Sequence, residues 1–94
     1  MAGEIPDFHG PHAAPPLPGH LVLTWYQPDR RASRIRVVSH TCECSGTTYE
    51  LCSAAGLGFV RRTDRDKRTV HETSWTLSAA ARHTFEQILH GEAR

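Results

Sequence analysis

The chain has 94 residues, 38% of them hydrophobic and 7% aromatic, and a formal net charge of +1. That length admits one small domain and excludes a multidomain enzyme, and the near-neutral balance gives no global pull toward nucleic acid or membrane. No apolar run approaches the roughly 18 residues that a membrane span needs, and Met1–Pro6 lacks the basic and apolar stretches of a secretory leader, so a cytoplasmic protein is expected.

Basic residues are almost all arginine, with Lys67 the single lysine. Together with many Ala, Gly and His, this skew is typical of high-GC bacterial genomes and says nothing about activity.

Residues 1–19 hold five of the six prolines: Pro6, Pro11, Pro15, Pro16 and Pro18. Each removes a backbone donor and restricts its predecessor, so neither helix nor central strand is expected. The stretch reads as a flexible or polyproline-like arm, dispensable for folding. Within it, Ala14-Pro15-Pro16-Leu17-Pro18 has the composition of a segment that docks in an aromatic groove. His9 and His12 read as solvated tail histidines.

From residue 20 to 94 the pattern is that of one α+β domain. Leu21 to Tyr26 is rich in strand formers, with Leu21, Leu23 and Trp25 on one face at period two. A turn over Gln27–Ser33 leads to a second strand from Arg34 to Cys44. Ser45-Gly46-Thr47 breaks it, a third strand runs from Thr48 to Ser53, and Ala54-Ala55-Gly56 turns again. Leu57–Thr63 and Thr69–Trp75 are the fourth and fifth strands, joined by the charged loop Asp64–Lys67. Ser78 is the expected N-cap of a C-terminal helix, and Leu77, Ala81, Phe85, Ile88 and Leu89 make one apolar stripe along it. His90 suits the helix C-terminus and Gly91 the left-handed stop. The expected architecture is a small antiparallel β-meander of about five strands with this helix packed on it. Two free edges and one uncovered face would favour a homodimer.

Three constellations could carry chemistry. His40, Cys42, Cys44 and Cys52 make a complete Cys₃His set for structural zinc. The three even-numbered positions share a strand face, and Cys52 joins it if the intervening hairpin has an odd loop. Reach argues against the set, since alternate strand residues lie about 6.8 Å apart and only a bulge could make them converge. Cysteine catalysis is the second possibility: Cys52 with His40 or His71 as base and Glu50 or Glu72 as orienter has the residue types, but no oxyanion-hole motif accompanies them.

The third constellation is electrostatic. Arg30, Arg31, Arg34 and Arg36 cluster near the second strand, and Arg61, Arg62, Arg65, Lys67 and Arg68 in the last hairpin. Nine of the eleven basic residues thus fall in two regions that a meander could bring to one face. With Trp25, Tyr26, Tyr49 and Phe59 interspersed, such a face could hold phosphates while rings stack on bases, although Asp29, Asp64 and Asp66 dilute it. A non-enzymatic binding or regulatory module, acting on a protein or nucleic acid through Arg34, Arg36, Arg61, Arg62, Arg65, Lys67 and Arg68, is the expectation. A small cysteine enzyme and a zinc-stabilised domain are the alternatives.

Overall fold

A computed structural model describes residues 10–28, 34–44 and 46–94. The order of elements is β1 (Arg36–His40), β2 (Thr47–Ala54), β3 (Leu57–Asp64), β4 (Thr69–Glu72), β5 (Thr76–Leu77) and α1 (Ser78–Leu89). Strands β1 to β4 form an antiparallel meander, and β5 pairs with the start of β3. This is the expected α+β class, a five-stranded antiparallel sheet with one C-terminal helix packed on it.

The strand inventory differs at its start. Leu21–Tyr26 forms no ladder strand; only isolated bridges join Leu21 to Ala93 and Tyr26 to Glu72. The backbone of this segment bonds instead to the chain end: Leu21 and Leu23 amides donate to the Glu92 and Arg94 carbonyls, at 2.9 and 3.0 Å. Its period-two pattern is a packing signal, since Leu23 and Trp25 lie against the core cluster. The fifth strand is supplied further along, where the expected run Thr69–Trp75 splits into β4 and β5. Thr73 causes the break while keeping contact with β3: its amide donates to the Val60 carbonyl and its hydroxyl accepts from the Val60 amide, both at 2.9 Å.

Strand alternation sorts the sheet into two faces. The cross-strand pair Leu51–Val60 points at α1 and forms the core with Tyr49, Ala81, Phe85 and Ile88. The next pair, Cys52–Phe59, points the other way and is also fully buried, with Trp75 edge-on to Phe59 at 5.2 Å. Helix α1 follows the predicted stripe at Ala81, Phe85 and Ile88, whereas Leu77 is left 69% exposed. Ser78 is the first helical residue rather than the N-cap, and its hydroxyl donates to the Gly56 carbonyl at 2.7 Å. At the other end Gly91 adopts φ +75°, and amides of Gly91 and Glu92 close on the Ile88 and Gln87 carbonyls as a Schellman motif.

Residues 10–19, part of the stretch expected to be a flexible or polyproline-like arm, bond to the body. Ala14 and Leu17 amides donate to the Leu89 and Gly91 carbonyls at 2.9 and 2.8 Å, and Ala13 packs on the core. Prolines suit this role, because the amides that pin the segment belong to Ala14 and Leu17, and the donors that the prolines lack are not called on. Gly10 is buried so tightly on β1 that a Cβ there would strike the His40 carbonyl. The rest of the proposed arm, residues 1–9, lies outside the described residues, as do Asp29–Ser33 of the first turn.

Candidate metal centre

Strand β1 ends at His40, so Cys42 and Cys44 do not continue a strand. Thr41 holds the exit: its amide donates to the Tyr49 carbonyl at 2.9 Å and its hydroxyl accepts from the Tyr49 amide at 3.0 Å. The chain then turns, which removes the 6.8 Å spacing of alternate strand residues and brings two sulfurs together. The Cys42 thiol donates to Cys44 Sγ at 2.7 Å, and the Cys44 amide donates to Cys42 Sγ at 3.3 Å. Both cysteines are free thiols, and their separation is well beyond the roughly 2.05 Å of a disulfide.

The third member comes from the N-terminal segment. The Cys42 amide donates to the Pro11 carbonyl at 2.9 Å, which sets the next residue, His12, beside the two cysteines. The ligand atoms of His12, Cys42 and Cys44 all lie within 4.8 Å of one another, with Cys42 buried and the other two exposed. Zinc bonds of about 2.3 Å to each sulfur at tetrahedral angles need roughly 3.8 Å between sulfurs, so the pair opens by about 1 Å to admit the ion. The hydrogen bond from Cys42, partial desolvation and the nearby Cys42 charge push the Cys44 thiol above its ordinary range. Without a cation the two sulfurs resist becoming thiolates together; a divalent cation removes that conflict.

Two of the four residues expected to bind zinc belong to this cluster and two do not. His40 pairs with Glu50, two residues from Cys52 on β2, so His40 and Cys52 share a sheet face as parity predicts; β1 ends at His40, and the turn that follows takes Cys42 and Cys44 away from them. Cys52 is fully buried, and His40 Nδ1 contacts the Thr41 carbonyl at 2.9 Å. Sequence reasoning misses His12, which lies thirty residues from Cys42 in a proline-rich stretch. The one available hint is a histidine pair, His9 and His12, in a chain that also holds a Cys-x-Cys.

The same placement bears on cysteine catalysis. Cys52 shares its face with Phe59, whereas His71 pairs with Arg62 on the opposite face. At 0% exposure the Cys52 thiol is closed to a substrate.

The basic residues are dispersed. Arg34 and Arg36 border a cavity at the Ala55–Gly56 end of the β2–β3 hairpin. Arg65, Lys67 and Arg68 follow the far end of β3, about 20 Å away at 3.3 Å per residue. Arg61 and Arg62 point to opposite faces. Arg61 bonds Glu72 Oε2 at 3.1 Å and Glu50 Oε1 at 3.4 Å, and lies over Phe59. Burial works against its charge, but Cys52 and the two carboxylates outweigh that and raise its pKa further. Arg62 stacks on Trp25 at 4.4 Å, and Arg65 bonds the Thr48 hydroxyl and the Glu43 carbonyl. Three of the five hairpin cations are therefore engaged within the fold.

Beside the His12–Cys42–Cys44 cluster lies a cavity of about 270 Å³ bordered by His12, Cys42, Thr41, Thr47, Tyr49 and Arg94. Compared with protein-family models, curated proteins and solved structures, the chain matches nothing.

Proposed function

We propose that this protein is a small zinc-binding domain whose metal is held by His12, Cys42 and Cys44. The observation that carries the reading is the convergence of one imidazole and two sulfurs within 4.8 Å, from segments thirty residues apart. Two thiolates and a neutral imidazole form a soft, neutralising set suited to zinc and poorly suited to magnesium or calcium. The ion would fasten residues 10–19 to the β1–β2 connection, adding a link to a core that is small for its length.

The test is metal content of the reduced, purified full chain. One zinc per chain is expected, lost in His12→Ala, Cys42→Ser and Cys44→Ser, and retained in His40→Ala and Cys52→Ser. Retention in His12→Ala with loss in His40→Ala would refute this ligand set.

A further inference from the structure

The three cysteines sit at different depths. Cys44 is exposed on the turn after β1, Cys42 is buried, and Cys52 on β2 is closed off entirely. A molecule arriving from solvent therefore meets one sulfur, that of Cys44, with a second thiol behind it at 2.7 Å. Closing from 2.7 Å to a disulfide of about 2.05 Å is a movement of about 0.7 Å, smaller than the opening of about 1 Å that zinc needs.

The fold holds the pair in this arrangement. The Cys44 amide bonds back to Cys42 Sγ, and the carbonyl of the intervening Glu43 accepts from the Arg65 guanidinium. Arg65 lies between β3 and β4 and is fixed there by the Thr48 hydroxyl at 3.0 Å and by its own amide on the Gly46 carbonyl at 2.8 Å. The peptide linking the two cysteines is thus fastened to a neighbouring hairpin. Much of the chain freedom that a loose pair gives up on closing a ring is already gone.

We propose that Cys42 and Cys44 form a redox-active dithiol that exchanges with low-molecular-weight aliphatic disulfides, Cys44 attacking and Cys42 resolving. The Cys44 sulfur bonds to one sulfur of the incoming disulfide, whose other half leaves with the bonding pair and takes up a proton as the free thiol. Cys42 then attacks Cys44 Sγ in this mixed disulfide and expels the second half as thiol in the same way. The protein loses two electrons and two protons, and the small disulfide gains them. In a zinc-loaded chain the closure removes two of three ligands and leaves His12, so the ion is released. Only this last consequence rests on the zinc reading above.

The test exposes the reduced, metal-free full chain to glutathione disulfide and follows it by intact mass and peptide mapping. The expected product is the internal Cys42–Cys44 disulfide, with Cys52 still a thiol. Cys42→Ser should stop at a stable mixed disulfide on Cys44, and Cys44→Ser should react at least about tenfold more slowly, its remaining sulfurs being buried. In a glutathione redox buffer the folded chain should favour the internal disulfide at least about tenfold over the same chain in concentrated urea. A mixed disulfide that persists in the unchanged chain, or a folded chain no better than the unfolded one, overturns the dithiol. Equal rates in the two variants overturn the division of roles. Zinc-loaded chain should release one zinc per disulfide formed, read with a chromogenic chelator. Zinc kept after complete oxidation, or never taken up, defeats the zinc reading and leaves the dithiol standing.

Discussion

The amide of Cys42 donates to the carbonyl of Pro11 at 2.9 Å, and this bond joins the N-terminal segment to the turn that carries Cys42 and Cys44. Proline at position 11 offers only its carbonyl, so the contact is one-directional, and His12 follows it into place beside the sulfurs. Gly10, on the other side, permits the close approach because it has no Cβ to meet β1.

A chain truncated to begin at Gly19 is expected to be clearly less stable. It loses the bonds made by Pro11, Ala14 and Leu17, each contributing about 0.5–1.5 kcal/mol, and the packing of Ala13. The melting temperature of the metal-free form should fall by at least about 10 °C. An unchanged value would mean that these contacts do not persist in solution.

Arg61 and Glu72 form a pair with unequal burial: the Glu72 side chain is 4% exposed and that of Arg61 26%. Removing Arg61 deletes an ion pair to a buried carboxylate, so Arg61→Ala should cost roughly 3 kcal/mol. Glu50→Ala should cost under about 1 kcal/mol, because Glu50 is a quarter exposed and its contact is 3.4 Å. Urea unfolding of the two variants checks the ordering, which equal costs would contradict.

In the metal-free, reduced protein the Cys44 proton is held above the ordinary thiol range. The unfolded chain gives up that proton near pH 8.5, while the folded chain keeps it to higher pH. Stability from this group is therefore complete below about pH 8.5 and is lost as pH rises through the folded value. The urea midpoint should decline over that range, and less so in Cys44→Ser. Equal slopes in the two proteins would dismiss the contribution.

Ala55 turns at φ +53°, a left-handed conformation in the two-residue connection ahead of Gly56. Asparagine tolerates that region better and, before glycine, is the preferred residue of such a hairpin. Ala55→Asn should raise stability by about 0.5–1 kcal/mol. Thermal melts with no gain would show that the turn is not strained.

Local rules reach far into this fold. The runs at Thr47–Ala54 and Leu57–Asp64, the stripe of α1 and the stop at Gly91 are all legible in the residues, because each depends on near neighbours. The helix start is one residue off, since Ser78 bonds Gly56 across the sheet instead of capping its own turn. The Leu21–Tyr26 pattern is real, but periodicity reports which side chains are buried and not which backbone they bond; that choice fell to the chain end at Glu92 and Arg94.

The candidate metal centre is where sequence reading stops. Cys42 and Cys44 are recognisable as ligands by type and closeness, whereas parity arguments about His40 and Cys52 assume a regular strand. The strand end at His40 breaks that assumption for Cys42 and Cys44, and it has no composition signal. His12 enters only through a contact between segments thirty residues apart. Proline density marks what residues 10–19 cannot do locally; tertiary hydrogen bonds to Leu89, Gly91 and Cys42 decide where they go, because only the folded body presents those partners together.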